Sequence, residues 1–249
     1  MFKKSTLVAL ILIPLFSMFL GSCSSEPESK SDDVEKQFKV AEDYDKDERY
    51  EEAIRRYQDI KNKFPYSKFA ILSELAIADA YFKQESYPEA QVAYSNFKDM
   101  HPKHARIDYV TYKIGMSYYD QLPSSPDRDL AMANQAISHF DELIQKYPNS
   151  EHVKEATENK LKTQKMLSEK EIYIADFYFK KEQWLAALNR YESEVKKYPG
   201  QALEAKALSR AAICAARLQN MDKARSLFSD LKTRYPESPE IPLAQEALK

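Results

Sequence analysis

The chain has 249 residues, 37 basic and 39 acidic side chains, a net charge of −2 and only three glycines. Nucleic-acid-binding proteins usually carry a basic surplus, so we expect no nucleic-acid partner. Glycine-rich phosphate loops and the His-Glu-x-x-His and Gly-x-Ser-x-Gly motifs are missing from the sequence, and its two cysteines are far apart. We therefore predict no enzyme, no catalytic residues, no metal and no cofactor.

The first 22 residues have the layout of a secretory signal peptide. Two lysines precede an uncharged run over residues 7–20, which is too short for a comfortable membrane span. The run leads into Leu20-Gly21-Ser22-Cys23, which resembles the lipobox where bacterial lipoproteins are cut and acylated. We predict a signal peptide at 1–22 and a covalent diacylglycerol and N-acyl lipid on Cys23. An ordinary signal peptide with an incidental cysteine is the alternative.

The segment after Cys23 is polar, contains proline and lacks apolar periodicity. We interpret residues 23–35 as the lipidated cysteine and a flexible tether, with the folded part over 36–249. Ser24 stands where an aspartate would signal retention at the inner membrane in many Gram-negative bacteria. The sequence thus favours a protein anchored by lipid to the outer membrane and facing the periplasm. Cys214, the other cysteine, lies in an alanine-rich stretch and is predicted to be a buried thiol.

The folded part repeats one pattern five times. An alanine is followed four residues later by an aromatic residue and twelve residues later by a proline. The alanines are Ala53, Ala90, Ala136, Ala187 and Ala224, and the prolines are Pro65, Pro102, Pro148, Pro199 and Pro236. Twelve residues before each alanine except Ala136 stands another alanine, and the third unit has Gly115 in this role. This spacing resembles the tetratricopeptide repeat, a helix–turn–helix unit.

The pattern predicts an all-α fold, a right-handed α-solenoid of five such repeats. We divide it into an N-terminal half over 36–120 and a C-terminal half over 130–249. Residues 121–129 should loop out between the two helices of the third unit. The stretch 151–181 has no glycine or proline and should form one helix of roughly 30 residues. Ser67, Ser150 and Ser238 are candidate N-caps of the helices that follow them.

The first helices of such repeats line a concave groove, and the register selects its residues. They are Phe38, Leu75, Asp79, Phe82, Tyr109, Tyr112, Met116 and Tyr119. Solvated faces are normally polar, so a groove this rich in aromatic side chains suits an extended peptide that carries aromatic residues. In the alternative interpretation, these rings pack against the long insertions and form a satellite core.

The whole arrangement resembles the BamD family of outer-membrane assembly lipoproteins. The resemblance covers nearly the whole chain and depends on the order of insertions and a few local motifs. These motifs are Phe64-Pro65-Tyr66-Ser67, Ile107-Asp108-Tyr109, Ser-x-Asp-Arg-Asp over 125–129, Tyr147-Pro148-Asn149-Ser150, and Ala175-Asp176-Phe177-Tyr178 leading into Trp184, Asn189 and Arg190. The last repeat is the least typical part.

The resemblance implies a scaffold and substrate-recognition role in the β-barrel assembly (BAM) complex. Its N-terminal repeats would engage unfolded outer-membrane proteins, whose C-terminal signals end in aromatic residues. Its C-terminal repeats would dock on the periplasmic repeats of a BamA-like barrel-forming partner. For that contact we select Arg190, Lys196 and Lys197, basic residues that could also serve only solubility.

Two other functions remain open. One is a different adaptor lipoprotein, either pilotin-like or involved in envelope constriction, although the Ser-x-Asp-Arg-Asp loop and the two insertions argue against it. The other is an accessory role in which the groove presents peptides to a wall-modifying enzyme. Both would keep the fold and the lipid anchor.

Overall fold

The computed structural model describes residues 34–125 and 127–249, and all regular secondary structure in these ranges is α-helical. The helices are α1 (Val34–Lys46), α2 (Tyr50–Lys63), α3 (Lys68–Lys83), α4 (Tyr87–Met100), α5 (Ile107–Tyr119), α6 (Ala133–Lys146), α7 (Val153–Lys180), α8 (Trp184–Lys197), α9 (Glu204–Arg217), α10 (Met221–Arg234) and α11 (Ile241–Ala247). The all-α prediction is confirmed. Helix α1 begins at residue 34. Residues 1–33, which contain the predicted signal peptide and Cys23, lie outside the described part.

Helices α1 to α10 form five consecutive antiparallel pairs, as the repeat predicts. Each of these helices packs mainly against its neighbours in the chain, and α1 also contacts α3, as α5 contacts α7. The buried apolar residues accordingly form a series of separate clusters along the stack. This arrangement is a tetratricopeptide-like solenoid, in which each pair is stabilised by the pairs next to it.

Small residues allow the two helices of a pair to approach closely. In the third pair, a Cβ atom added to Gly115 would lie 2.8 Å from Cε1 of Phe140, a separation that real Cβ atoms do not tolerate. Ala41, Ala78, Ala175 and Ala212 hold the same place in the other pairs and are fully buried. Small residues at these positions therefore leave room for the facing helix in all five pairs.

The second helix of every pair ends in the same way. The helix ends two residues before the proline. The single residue between the helix and the proline has φ near −130° and donates its N–H to the carbonyl four residues back. Proline disfavours helical geometry in the residue before it, which accounts for this common ending. The residues concerned are Phe64, His101, Tyr147, Tyr198 and Tyr235.

The turn within a pair uses a left-handed residue that is not glycine. Glu48, Glu85, Glu182 and Gln219 occupy equivalent positions, with φ between 56° and 63°. In each turn the N–H of the next residue bonds to the carbonyl five residues back, as from Ser86 to Tyr81 at 3.0 Å. These bonds form the Schellman ending of a helix, where glycine is the usual residue. The chain therefore makes tight turns with very few glycines.

Two segments in the middle of the chain depart from the regular repeat. The connection between α5 and α6 spans residues 120–132, so residues 121–129 loop out between the two helices as predicted, Pro126 lying outside the described part. The long helix is also confirmed, since α7 has 28 residues without interruption. The short helix α11, which the candidate cap Ser238 implied, covers the end of the stack by packing on α9 and α10.

The serine caps were predicted correctly in one case of three. Ser67 is the N-cap of α3 and accepts a hydrogen bond from the N–H of Ala70 at 3.1 Å. Ser150 and Ser238 instead accept from backbone N–H groups of the turns before α7 and α11, two residues ahead of the true N-caps. The prediction is wrong for these two because each turn continues for two residues before the helix begins.

We expect Ser67→Ala to lower the free energy of unfolding by about 1 kcal/mol, the usual effect of removing a cap. Ser86 is the matched control, since it is the N-cap of α4 but its side chain makes no cap hydrogen bond. Urea titration followed by circular dichroism measures both variants. Equal losses in Ser67→Ala and Ser86→Ala would show that the hydroxyl of Ser67 does not stabilise α3.

Candidate peptide-binding groove

A pocket of about 280 Å³ opens on the side formed by the first helices of the N-terminal pairs. Phe38 of α1 and Leu72 and Leu75 of α3 supply apolar lining, and Arg106 reaches the pocket from the start of α5. The ring of Phe38 also packs on Phe69 with centroids 5.3 Å apart, which fixes its place. The pocket is too small for a drug-sized ligand and suits a single side chain.

Asp79 lies beside this pocket and joins two repeats by hydrogen bonds. The hydroxyls of Tyr94 and Tyr109 donate to its Oδ1 at 2.5 and 2.7 Å. Burial and the adjacent carboxylate raise the pKa of both phenols, which therefore remain donors at neutral pH. Asp79 thus holds the first helices of the second and third units at a fixed distance.

A lysine covers the predicted groove residue Phe82. Nζ of Lys113 lies 3.0 Å from the centroid of the Phe82 ring, a cation–π contact. Burial lowers the pKa of Lys113 to about 8, although Asp79, Asp120 and Glu155 act in the opposite direction. Phe82 therefore contacts a cation instead of facing open solvent.

The part of the groove formed by α5 is filled by the start of α7. The rings of Tyr112 and His152 stack with centroids 4.7 Å apart, and Asn159 Nδ2 donates to Met116 Sδ at 3.2 Å. Tyr119 packs edge-on against Phe140 at 6.2 Å. The start of α7 therefore covers Tyr112 and Met116, as in the satellite-core interpretation, whereas Tyr119 packs on α6.

The eight predicted groove residues do not form one open surface, because some line the pocket and others are covered by Lys113 or by the start of α7. Phe38, Leu75 and Asp79 line the pocket, although only 2% of Leu75 is exposed. Tyr112 is 7% exposed, because the ring of His152 stacks on it. Peptide binding itself stays a prediction for every member of the set.

The C-terminal half contains a second copy of the same arrangement, 97 positions later. Asp176 replaces Asp79 and accepts from the hydroxyl of Tyr191 at 2.6 Å. Lys206 and Arg210 contact its two carboxylate oxygens at 2.7 and 2.5 Å. These charges hold the pKa of Asp176 below its ordinary value against the effect of burial. The C-terminal copy keeps a phenol, Tyr191, in place of Tyr94, and has the cation of Lys206 in place of the phenol of Tyr109.

The basic residues selected for partner contact lie on α8. Arg190 and Lys197 both approach Glu171 of α7, with N–O distances of 3.1 and 3.8 Å. Lys196 is exposed. Glu171 therefore partly neutralises the charge on this face, which is weaker than the sequence alone indicates.

Sequence reasoning missed Arg106, Leu72 and His152. Arg106 and His152 lie in the short segments before α5 and α7, outside the helical register that selects groove positions. Leu72 is on α3, three residues before Leu75, and residues three apart lie on the same face of a helix. The helical register could therefore have predicted Leu72 as a groove residue.

The histidines and the remaining cysteine have structural surroundings. The rings of His101 and His104 lie 4.9 and 5.1 Å from that of Phe97, and His101 Nε2 is 2.7 Å from Oε2 of Glu74. Cys214 is fully buried as predicted, and burial raises the pKa of its thiol to about 12. Over the described ranges, no cluster of histidine, cysteine or acidic side chains is placed to hold a metal. No helix in those ranges is both long and apolar enough to cross a membrane.

Comparison with solved structures finds other helical-repeat proteins at low similarity. The tetratricopeptide domains of yeast Sti1 in complex with an Hsp90 peptide are 16% identical, with a TM-score of 0.43, covering 86% of this chain and 84% of that one. PilF of Pseudomonas aeruginosa is 15% identical with a TM-score of 0.37, covering 86% and 81%. At these scores the likeness supports no conclusion about function.

Comparison of sequences is more informative. An outer membrane protein assembly factor BamD from Neisseria gonorrhoeae is 27% identical over 246 residues, covering 92% of each chain. The protein of that name from Vibrio cholerae is 26% identical over 207 residues, covering 79% of this chain and 84% of its own. Residues 30–227 match the YfiO family, described as outer membrane lipoproteins. This match includes all but the last part of the helical stack, and the chain belongs to the YfiO family of outer membrane lipoproteins.

Proposed function

We propose that this chain is a non-catalytic scaffold of the machinery that assembles β-barrel proteins in the outer membrane. Family membership over residues 30–227 is the observation that carries the proposal, and relatives named as outer membrane assembly factors support it along most of their length. The protein acts through binding alone and holds unfolded substrates close to the protein that inserts them. A pilotin-like adaptor, the alternative, lacks comparable support.

The lipid on Cys23 anchors the chain to the outer membrane on its periplasmic side. Three acyl chains bind a membrane far more firmly than one, so no transmembrane helix is needed. Residues 24–33 then set the reach of the helical stack from the membrane surface. The anchor keeps the scaffold at high local concentration beside its membrane-embedded partner.

The two halves of the solenoid have different partners in this proposal. The pocket between α1, α3 and α5 binds an aromatic side chain of an unfolded outer-membrane protein. The face of α8 with Arg190, Lys196 and Lys197 docks on periplasmic repeats of a BamA-like barrel-forming protein. The separation of the pocket from α8 along the stack allows both partners to bind at once.

Purification of a C-terminally tagged copy from its native envelope in mild detergent tests the assembly role. We expect a large barrel protein with periplasmic repeats to co-purify in near-equal amount. Recovery of a secretin subunit or of a wall-modifying enzyme in its place would overturn the assembly role. A Cys23→Ser copy serves as control for the anchor and should leave the membrane fraction.

Leu72→Glu tests the pocket, because it places a charge on its exposed apolar lining. We expect this variant to bind an unfolded outer-membrane protein about tenfold more weakly, measured by fluorescence anisotropy. Val92→Glu is the matched control, since Val92 is an exposed apolar residue of α4 that does not line the pocket. Equal affinities of the two variants would place substrate binding elsewhere.

A further inference from the structure

The second half of α7 carries two large aromatic side chains on its surface. Tyr173 and Phe177 are 60% and 55% exposed, and residues four apart lie on the same face of a helix. The ring of Phe177 packs edge-on against that of Tyr178, with centroids 5.5 Å apart, and its outward side remains in solvent. Adjacent exposed apolar side chains, unlike scattered ones, are a feature of interaction surfaces. Tyr173 and Phe177 define the aromatic face of α7.

The corresponding face of α3 is covered by the helix pair before it. Ala76 and Ala80 stand in the same positions relative to Asp79 as the two aromatic residues do relative to Asp176. They pack in the cluster that joins α1, α2 and α3, and Ala80 is fully buried. In the longer helix α7, the buried residues of the first turns cluster with α5 and α6, and those of the last turns with α8 and α9. The preceding pair therefore leaves the aromatic face uncovered.

The aromatic face points away from the docking face proposed on α8. Glu171, which approaches Arg190 and Lys197 of α8, precedes Tyr173 by two residues. An α-helix turns by about 100° per residue, so these two positions are about 200° apart around the axis of α7. A ligand on the aromatic face therefore leaves the α8 face free for a different partner.

Lysines extend the aromatic face towards the end of α7. Lys180 and Lys181 follow the second aromatic residue by three and four positions, which places them on its side of the helix, and both are exposed. No carboxylate of the described ranges forms an ion pair with either amine. Of the nearest acids, Glu169 pairs with Lys165 at 3.7 Å and Glu182 lies in the turn after the helix. The face therefore combines aromatic side chains with a surplus of positive charge.

We propose that the aromatic face of α7, with Lys180 and Lys181, binds the anionic phospholipid surface of the membrane that holds the lipid anchor. Helices that lie on bilayers combine buried aromatic or aliphatic residues with lysines that contact the headgroups. Aromatic rings favour the boundary between headgroups and acyl chains, so a lipid surface satisfies the rings and both amines together. The inference rests on the proposed anchor, which keeps this face close to a bilayer.

Tryptophan fluorescence tests this contact, because the chain contains a single tryptophan, Trp184. The lipidated full chain with Trp184→Phe and Phe177→Trp carries its only reporter in the aromatic face. In vesicles of phosphatidylethanolamine, phosphatidylglycerol and brominated phospholipid, this reporter should lose most of its emission by contact quenching. Each lysine near an anionic bilayer strengthens binding about fivefold, so adding Lys180→Gln and Lys181→Gln should remove most of the quenching.

Leu243→Trp with Trp184→Phe is the matched control. Leu243 of α11 is 56% exposed, nearly the same as Phe177, but Glu240 and Glu246 lie three residues to either side of it. Its reporter should stay unquenched in the same vesicles. Far-ultraviolet circular dichroism confirms that each variant keeps its helices.

Sedimentation of the vesicles separates the anchor from the contact of α7. A chain that sediments with them, but whose reporter at 177 is quenched no more than that at 243, would keep its anchor and lose the proposed contact. Equal quenching with and without phosphatidylglycerol would overturn the role of the lysines. A blue shift of the reporter at 177 that appears only in native envelope membranes would assign the face to a protein instead. A chain that does not sediment would overturn the anchor and the contact together.

Discussion

Replacing Phe140 with alanine is expected to lower the free energy of unfolding by about 3 to 5 kcal/mol, the range for a buried aromatic ring. Phe140 is 0% exposed, and its ring fills the space that the missing side chain of Gly115 leaves between α5 and α6. Urea titration followed by circular dichroism measures the loss.

A second substitution tests whether the two residues are complementary in size. Gly115→Ala alone should cost about 1 to 3 kcal/mol through overpacking against the ring. In the Phe140→Ala background the same change should cost much less, so the effects should not be additive. Tyr66→Ala is the control, because Tyr66 is a fully exposed aromatic residue and its loss should be nearly neutral. Additive losses would contradict direct packing of Phe140 on Gly115.

The second large effect concerns a buried acid in the C-terminal half. Glu194 of α8 is 0% exposed, and its Oε1 accepts from Ser168 of α7 at 2.6 Å. Its Oε2 has no hydrogen-bond partner in the part of the chain that the structure describes. Burial raises its pKa to about 6, with the charges of Glu204 on α9 and Glu171 on α7 adding to the shift.

Glu204 is also buried, but its carboxylate has more hydrogen-bond donors around it than that of Glu194. The N–H of Gly200 and the hydroxyl of Tyr235 both donate to its Oε2 at 2.5 Å, and Arg234 forms an ion pair with it. Of the two buried acids, Glu194 is therefore the one without a cation partner among the described residues.

The raised pKa determines the sign of the pH dependence. The folded state holds the proton of Glu194 more tightly than the unfolded state, so its contribution is complete below about pH 4.5 and is lost as the pH rises through about 6. At pH 7.5 Glu194→Gln should therefore raise the free energy of unfolding by about 2 kcal/mol, since one pKa unit corresponds to about 1.4 kcal/mol. At pH 4 the gain should disappear.

Urea titrations of variant and wild type at pH 4, 6 and 7.5 measure this difference. Glu192→Gln is the matched control on the same helix, because Glu192 pairs with Lys223 at 2.8 Å and should lose stability slightly instead of gaining it. A difference between Glu194→Gln and wild type that is the same at every pH would rule out titration of this carboxyl between pH 4 and 7.5.

The sequence was sufficient to predict the regular parts of the fold. The spacing of alanine, aromatic residue and proline reports packing between chain neighbours, and such packing repeats along the chain. It therefore located five helix pairs, their common ending before proline and the unbroken helix α7. The repeat spacing does not give the extent of α11, because this helix follows Pro236, where the register ends.

Features that depend on contacts between distant segments could not be predicted in this way. The left-handed turns escaped prediction for a local reason, since Glu48 and Glu85 stand where glycine or asparagine is usual. Tyr112 looked exposed by its register, but His152 at the entry to α7 covers it. Arg106 lies outside the helical register altogether, so only the folded chain shows that it reaches the pocket.

The unbroken course of α7 also determines how the two halves are coupled. Its first turns pack on α5 and α6 and its last turns on α8, and no glycine or proline interrupts it. At about 1.5 Å per residue, its 28 residues form one continuous helix about 42 Å long. The orientation of a protein bound to α8 would consequently fix the direction in which the pocket of α1 and α3 opens relative to that protein. Insertion of one residue into α7 would turn that pocket by about 100° around the helix axis, so the length of α7 fixes the angle between the two binding faces.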